Sequence, residues 1–226
     1  MINNLEKYYF KNDQLLAALP EHVQSAIKEC MVKKKMRPGR SFYKEGTFPK
    51  GVYFILRGKV KIFQTNKNGK EQIMYIYSTG EIMGYRPLIC NSRHPVSAVA
   101  LEECSYNYIP AAEFLRLNDE HPELSRELLR SLSHEFGVWV NRISMFAQQP
   151  VKERTALALL ILQRKYAENK KNDVNLSREY FANYLGTVKE TLVRVLQEFK
   201  KQGIVTTQGR RIQVVDQKAL MRISGL

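Results

Sequence analysis

Cysteine, acidic charge and long apolar runs are scarce in this chain. It holds three cysteines in 226 residues: Cys30, Cys90 and Cys104, scattered and odd in number. That argues against a disulfide framework, and no CxxC spacing offers itself to zinc. Reduced thiols in a cytoplasmic protein are the expectation. No apolar run approaches the roughly 18 residues of a membrane span, so no membrane partner is expected. The opening "MINNLEKYYF" has no basic segment leading into an apolar one, so no secretory signal is expected either. There is no Ser/His/Asp grouping, no HExxH, no P-loop and no pair of carboxylates in a shared motif. Glu102-Glu103 reads as a solvated turn at a strand end. The chain is therefore not expected to be an enzyme.

What is present is an ordinary globular balance, 44% hydrophobic and 26% charged, with a net charge of +14. The positive charge is unevenly placed. Residues 150–226 carry 15 Lys and Arg against 7 Asp and Glu, whereas residues 1–149 carry 21 against 15. A basic excess steers a protein toward polyanions, and its density here points to the C-terminal third.

The periodicity of the apolar residues changes along the chain. Residues 1–30 read as short helices, with Leu15, Leu19, Val23 and Ile27 at spacings of three and four. From about residue 30 to 112 the pattern is β: "GVYFILRGKVKIFQ" and "EQIMYIY" flank the turn "NKNG", where Gly69 supplies positive φ, and "VSAVALE" and "CSYNYIP" follow. Such a series of short strands suggests a sandwich or barrel. Next, Leu129, Leu132, Phe136, Trp139, Ile143 and Phe146 recur at alternating steps of three and four, a heptad seam. Arg130, Ser131, Asn141 and Arg142 occupy its flanks. The seam either pairs two subunits, the preferred reading, or packs on its own domain. Pro150 suits the first turn of a new helix, "VKERTALALLILQRKY", and residues 163–173 read as an exposed helix end and loop.

The strongest signal is "LSREYFANYLGTVKETLVRVLQEFKKQG". Ser177 caps a first helix that ends at Gly186, and a second helix runs to about Gln202 with Gly203 as its stop. Phe181 and Leu185, with Leu192, Val195, Leu196 and Phe199, make a shared core, and Ala182 is small where the helices cross. This is a helix-turn-helix. It leaves Lys189, Glu190, Val193, Arg194 and Gln197 on the other face of the second helix, where side chains reach base edges in the major groove. Arg194 suits guanine O6 and N7 bidentately, Lys189 suits guanine as a point charge, and Glu190 can accept from cytosine N4. Two structural alternatives exist for Glu190: a capping box with Thr187, or an ion pair with Arg194 one turn on. After Gly203, "IVTTQGRRIQVV" reads as two strands around Gly209. This is a wing whose tip carries Arg210 and Arg211 for phosphate contact.

In this order, these features resemble the Crp/Fnr superfamily of bacterial transcription regulators over essentially the whole chain. "GVYFILRGKVKIF…NGKEQI…GEIMG" is similar to the family's cyclic-nucleotide-binding-type β-roll, and "SREYFANYLGTVKETLVRVL" to its winged helix-turn-helix. The resemblance implies an α+β protein with an N-terminal β-roll of double-stranded β-helix or jelly-roll type and flanking helices (1–118), a dimerisation helix (119–148) and a winged helix-turn-helix (149–226). Lys189, Glu190 and Arg194 fall on the family's reading positions, with Lys189 where Arg is commoner and Val188 where a small hydroxyl residue is usual. Arg178, Thr191, Gln208 and Arg210 fall on phosphate-contacting positions, and Ser177 is expected to contact phosphate beside them.

The effector cup departs from the pattern. It comprises Gly80, Glu81, Gly84, Tyr85, Arg86, Arg93, Pro95 and Val96. Members that bind cyclic AMP carry a Glu where Tyr85 stands and an Arg-Ser pair where Pro95-Val96 stands. Both polar anchors for ribose and cyclic phosphate are missing, so cAMP is not expected to bind. Either Tyr85 and Leu88 close the cup, or it holds a less polar effector with Arg86 or Arg93 supplying one charge. An iron–sulfur cluster needs several Cys near the N-terminus, and only Cys30 is there. Haem is not expected: His22, His94 and His121 read as surface imidazoles. No cofactor and no metal site are predicted, and an unknown small effector is left open. The expected function is a homodimeric, sequence-specific regulator of near-palindromic double-stranded DNA, with RNA polymerase a further candidate partner. The alternative is a ligand-binding signalling module whose helix-turn-helix does not read DNA.

Overall fold

The computed structural model describes residues 2–166 and 173–226. Residues 167–172, most of the expected loop at 163–173, lie outside the described residues. The chain forms two compact units: Phe10–Phe136, and Met1–Tyr9 together with Gly137–Leu226.

The first unit follows the expected change of period. Helix α1 (Glu21–Glu29) precedes β1 (Val32–Met36), β2 (Ser41–Tyr43), β3 (Gly51–Arg57), β4 (Val60–Thr65), β5 (Glu71–Tyr77) and β6 (Ile82–Met83). Short helix α2 (Tyr85–Ile89), β7 (Ser97–Ala100), β8 (Cys104–Pro110) and α3 (Ala111–Glu120) complete it. The strands make two antiparallel four-stranded sheets, ordered β1-β8-β3-β6 and β2-β7-β4-β5. In β3 the run Val52, Tyr53, Phe54 and Ile55 is buried without alternation, because both faces of the strand are covered. Val52 and Phe54 join Val23, Ile27, Ile82, Ile109, Leu117, Leu124 and Leu128 in a core of sheet and helices. Tyr53 meets Phe42 of the other sheet edge-on, with ring centroids 5.4 Å apart, and Phe42 meets Tyr106 of β8 at 5.0 Å. Strands β1, β2 and β6 escaped the sequence reading. In β1, "VKKKM" has no apolar alternation, because it is an exposed edge strand, where lysines discourage pairing with another chain.

Helix α4 (Pro122–Gln148) carries the seam. Residues 122–136 belong to the first unit and 137–148 to the second. Leu124, Leu128, Glu135, Val138, Arg142 and Met145 are its buried side, while Leu129, Phe136, Val140 and Ile143 are exposed. Arg142, read from the sequence as a residue on the seam's flank, is 1% exposed. Its Nη1 donates to Tyr184 Oη at 2.7 Å, because its register places it on the inner face.

In the second unit, α5 (Val151–Tyr166) is central. Its residues 155–162 are all buried, as the broad apolar face required. Arg154 closes the end of α4, donating to the Phe146 and Gln149 carbonyls at 3.3 and 3.0 Å, which satisfies carbonyls that a helix end leaves open. Strand β9 (Asp173–Asn175), α6 (Arg178–Leu185), α7 (Lys189–Lys201), β10 (Val205–Gln208), β11 (Arg211–Val214) and α8 (Gln217–Ser224) follow. The wing is a three-stranded sheet, β10-β11-β9. The added strand β9 and helix α8 were not read from the sequence.

Candidate DNA-reading surface and effector cup

The candidate reading surface is built from α6, its turn and α7. Ser177 caps α6, its Oγ accepting from Tyr180 N at 3.1 Å. Gly186 ends the helix at φ 63° and ψ 41°, a left-handed conformation that glycine adopts at no steric cost. Phe181, Ala182, Leu185, Leu192, Val195, Leu196 and Phe199 are all buried, so the two helices share the expected core. The N-cap of α7 is Val188, which makes no side-chain cap bond. The capping box considered for Thr187 therefore does not form, because the helix starts one residue later and Glu190 occupies its second position. Nor do Glu190 and Arg194 form an ion pair among the described residues.

Lys189, Glu190 and Arg194 are exposed, as is Gln197, while Val193 and Thr191 are half-buried beside them. No hydrogen bond or ion pair within the described residues engages the side chains of Lys189, Glu190 or Arg194. Glu198, one turn beyond Arg194, is by contrast occupied by an ion pair with Lys152 of α5. Gln208, Arg210 and Arg211 are exposed at the wing tip. Arg178 Nη1 donates to the Arg210 carbonyl at 3.2 Å, tying the first turn of α6 to the wing. Burial lowers the pKa of the Arg178 guanidinium.

The cup belongs to the first unit, and its polar groups are occupied internally. Glu81 is 3% exposed. It accepts from Tyr75 Oη at 2.7 Å and from the Ser78 amide and hydroxyl at 2.6 and 3.0 Å. Gly84 turns into α2 at φ 90°, and a Cβ there would lie 3.1 Å from the Tyr53 ring. Tyr85 is fully buried and its hydroxyl donates to Glu135 Oε1 of α4 at 2.9 Å. Asn12 Nδ2 donates to the same oxygen at 2.9 Å and to the Ile82 carbonyl at 3.1 Å. Arg86 reaches the other Glu135 oxygen at 3.5 Å and Tyr77 Oη at 3.3 Å. Burial raises the Glu135 pKa against the opposing pull of Arg86, Tyr85 and Asn12.

Arg93 is exposed, donates to the Gly46 carbonyl at 2.8 Å and lies over the Phe48 ring at 4.2 Å. Pro95 is exposed and Val96 half-buried. His94 departs from the surface reading: it is 3% exposed and stacks on Tyr43 with centroids 3.8 Å apart. Burial lowers its pKa to about 4. The three thiols are free, and burial pushes Cys104 up to about 11. Sequence reasoning missed Asn12 and Glu135. Neither sits in a local motif, and Glu135 looks like any polar residue between two seam positions.

Comparison with known proteins agrees with this architecture. Residues 33–121 match the cyclic nucleotide-binding domain family and residues 153–223 the Crp-like helix-turn-helix domain family. The fumarate and nitrate reduction regulatory protein of Escherichia coli K12 is 27% identical over 212 residues, covering 92% of this chain and 84% of that protein. Among solved structures, FixK2 from Bradyrhizobium japonicum superposes with a TM-score of 0.77 at 22% identity, covering 85% of this chain and 96% of that one. A CRP/FNR-family transcriptional regulator from Thermus thermophilus gives a TM-score of 0.73 at 23% identity, covering 86% and 99%. With a β-sheet domain of cyclic-nucleotide-binding type, a long helix and a Crp-like helix-turn-helix in this order, the chain belongs to the Crp/Fnr superfamily of transcription regulators.

Proposed function

We propose that the chain acts in the bacterial cytoplasm as a homodimer that reads a near-palindromic DNA site and does not respond to cyclic AMP. The observation that carries the reading is the row Lys189, Glu190 and Arg194, exposed on α7 and uncommitted within the described residues. Val193 supplies an apolar contact among them. Ser177, Arg178, Thr191, Gln208, Arg210 and Arg211 position the backbone of the duplex. Ser177 accepts from Tyr180 N and keeps its own proton to donate to phosphate. Residues 1–118 then serve as the effector-type domain, 119–148 as the dimerisation helix and 149–226 as the DNA-binding domain. RNA polymerase is the partner through which such a regulator alters transcription.

Pairing is supported by the exposed face of α4, where Leu129, Phe136 and Ile143 are 65%, 71% and 66% exposed. Apolar area of this kind gains about 25 cal/mol per Å² when covered. Leu132, Trp139 and Phe146 are half-buried and form the margins of the seam, and Val140 widens it. Non-response to cyclic nucleotide is supported by Tyr85, which fills the position of the ribose-binding carboxylate. Pro95 has neither an N–H nor a charge for an anion that must be taken out of water.

Selection of bound sequences from a random DNA pool tests the reading. The expected result is a two-fold symmetric site with half-sites about one helical turn, roughly 34 Å, apart. Recovery of no preferred sequence would favour the signalling-module alternative. Phe136→Glu should give a monomer by sedimentation, since facing carboxylates in a dry seam cost several kcal/mol, roughly 3–5. A dimer that survives would place the interface elsewhere. Calorimetry should detect no binding of cyclic AMP or cyclic GMP, and micromolar binding of either would refute the occupied cup.

A further inference from the structure

His22 and His121 are 99 positions apart in the sequence but neighbours in the first unit. Their rings meet edge-on with centroids 6.0 Å apart. Glu123 joins them, so that one ligand atom from each of the three residues lies within 4.8 Å of the others. Each is held by a fixed backbone. His22 is followed by Val23, which is fully buried in the core together with Ile27, Leu117 and Leu124. His121 sits at the break between α3 and α4. Its amide donates to the Leu117 carbonyl at 3.0 Å, and its carbonyl accepts from Leu124 N at 2.9 Å. No hydrogen bond or ion pair among the described residues engages the side chains of His22, His121 or Glu123, so their donor atoms are open to a ligand.

We propose that His22, His121 and Glu123 form a divalent-metal site that takes zinc or a similar borderline ion. Two imidazoles and a carboxylate are a donor set suited to zinc, which accepts three protein ligands and keeps water in the fourth position. Bonds of about 2.0–2.1 Å at the tetrahedral angle hold ligand atoms roughly 3.4 Å apart. Closing from 4.8 Å therefore takes side-chain rotations, which the exposed His22 and half-buried His121 and Glu123 can make without moving the core. His22 lies on α1 and the other two ligands at the α3–α4 break. The bound ion would clamp α1 to the start of the helix that carries the seam. The cysteines take no part in the site, so it is separate from any thiol chemistry.

The test uses the full chain, purified metal-free without a polyhistidine tag, with zinc titrated against a chromophoric chelator. One zinc per chain is expected, with a rise in melting temperature because the ion binds only the folded site. His22→Asn, His121→Asn and Glu123→Gln should each weaken binding by tenfold or more and abolish that rise. Cys30→Ser and Cys90→Ser should bind as the parent does, and the cobalt-loaded protein should show no sulfur-to-metal charge-transfer band. Equal zinc affinity in the parent and His121→Asn, a thiolate band with cobalt, or no binding at all would each overturn the proposal.

Discussion

The cup and the face of α7 are both rich in polar side chains, but they dispose of them in opposite ways. In the cup, Glu81, Tyr85, Arg86, Asn12 and Glu135 bond to one another or to nearby backbone. On α7, Lys189, Glu190 and Arg194 stay in water with no partner among the described residues. A polar group already satisfied and buried contributes to a unique fold, whereas an exposed and uncommitted one can engage a partner. Residue type alone does not separate the two cases; the presence of a second polar group within bonding distance does.

Removing one charged side chain from each region should therefore produce opposite losses, and the largest is expected in the cup. Glu135→Leu leaves Arg86, Asn12 and Tyr85 without their shared acceptor, and should cost about 2–4 kcal/mol of unfolding free energy in urea. Adding Arg86→Leu should restore part of it, since an apolar pair can replace a buried ionic one. If Glu135→Leu proves neutral, the cup is not held by these bonds.

Acid should strain the same domain to a similar degree. His94 is held neutral with its pKa lowered to about 4 from 6.5. Its contribution is complete above the unfolded value and fades as pH falls from about 6.5 through about 4, because the unfolded chain binds the proton more readily. The loss should be on the order of 2–3 kcal/mol. Melting temperatures followed across that window should fall in the parent, and less steeply in His94→Phe.

On α7 the effect moves from stability to affinity. Arg194→Ala should leave the melting temperature unchanged, weaken DNA binding by about 1–3 kcal/mol and relax one base position in selected sites. An unchanged site preference would remove Arg194 from the reading set. The smallest effect belongs to Arg210→Ala, which should weaken all sequences alike and flatten the salt dependence by about one unit. Titrations in several salt concentrations would measure it.

How much of this was legible beforehand follows from how local each signal is. The helix-turn-helix could be read because its glycine turn, cap and core positions lie within 27 residues, 177–203. Strands β3 to β5 could be read because buried strands are rich in branched and aromatic residues. Strand β1 could not, because an edge strand that exposes lysines on both faces has the composition of a loop. The seam's spacing was visible but its rotation about the helix axis was not. Leu132 packs on the core while Val140 is exposed, a shift of phase that a period of 3.5 against 3.6 leaves undecided. Asn12 with Glu135, and His22 with His121, were illegible for one reason: each pair is joined only by the fold.

The Arg178–Arg210 bond has a mechanical consequence. A hairpin tip that swung independently of α6 would have to be immobilised each time it met a duplex, at about 0.5–1.5 kcal/mol for every rotamer-rich side chain stilled. Held from one side by a guanidinium, the tip is tied to the first turn of α6 and has less of that freedom left to lose. The arginine that makes the bond commits one nitrogen to the Arg210 carbonyl; on the function proposed above, the rest of its fork would be left for phosphate.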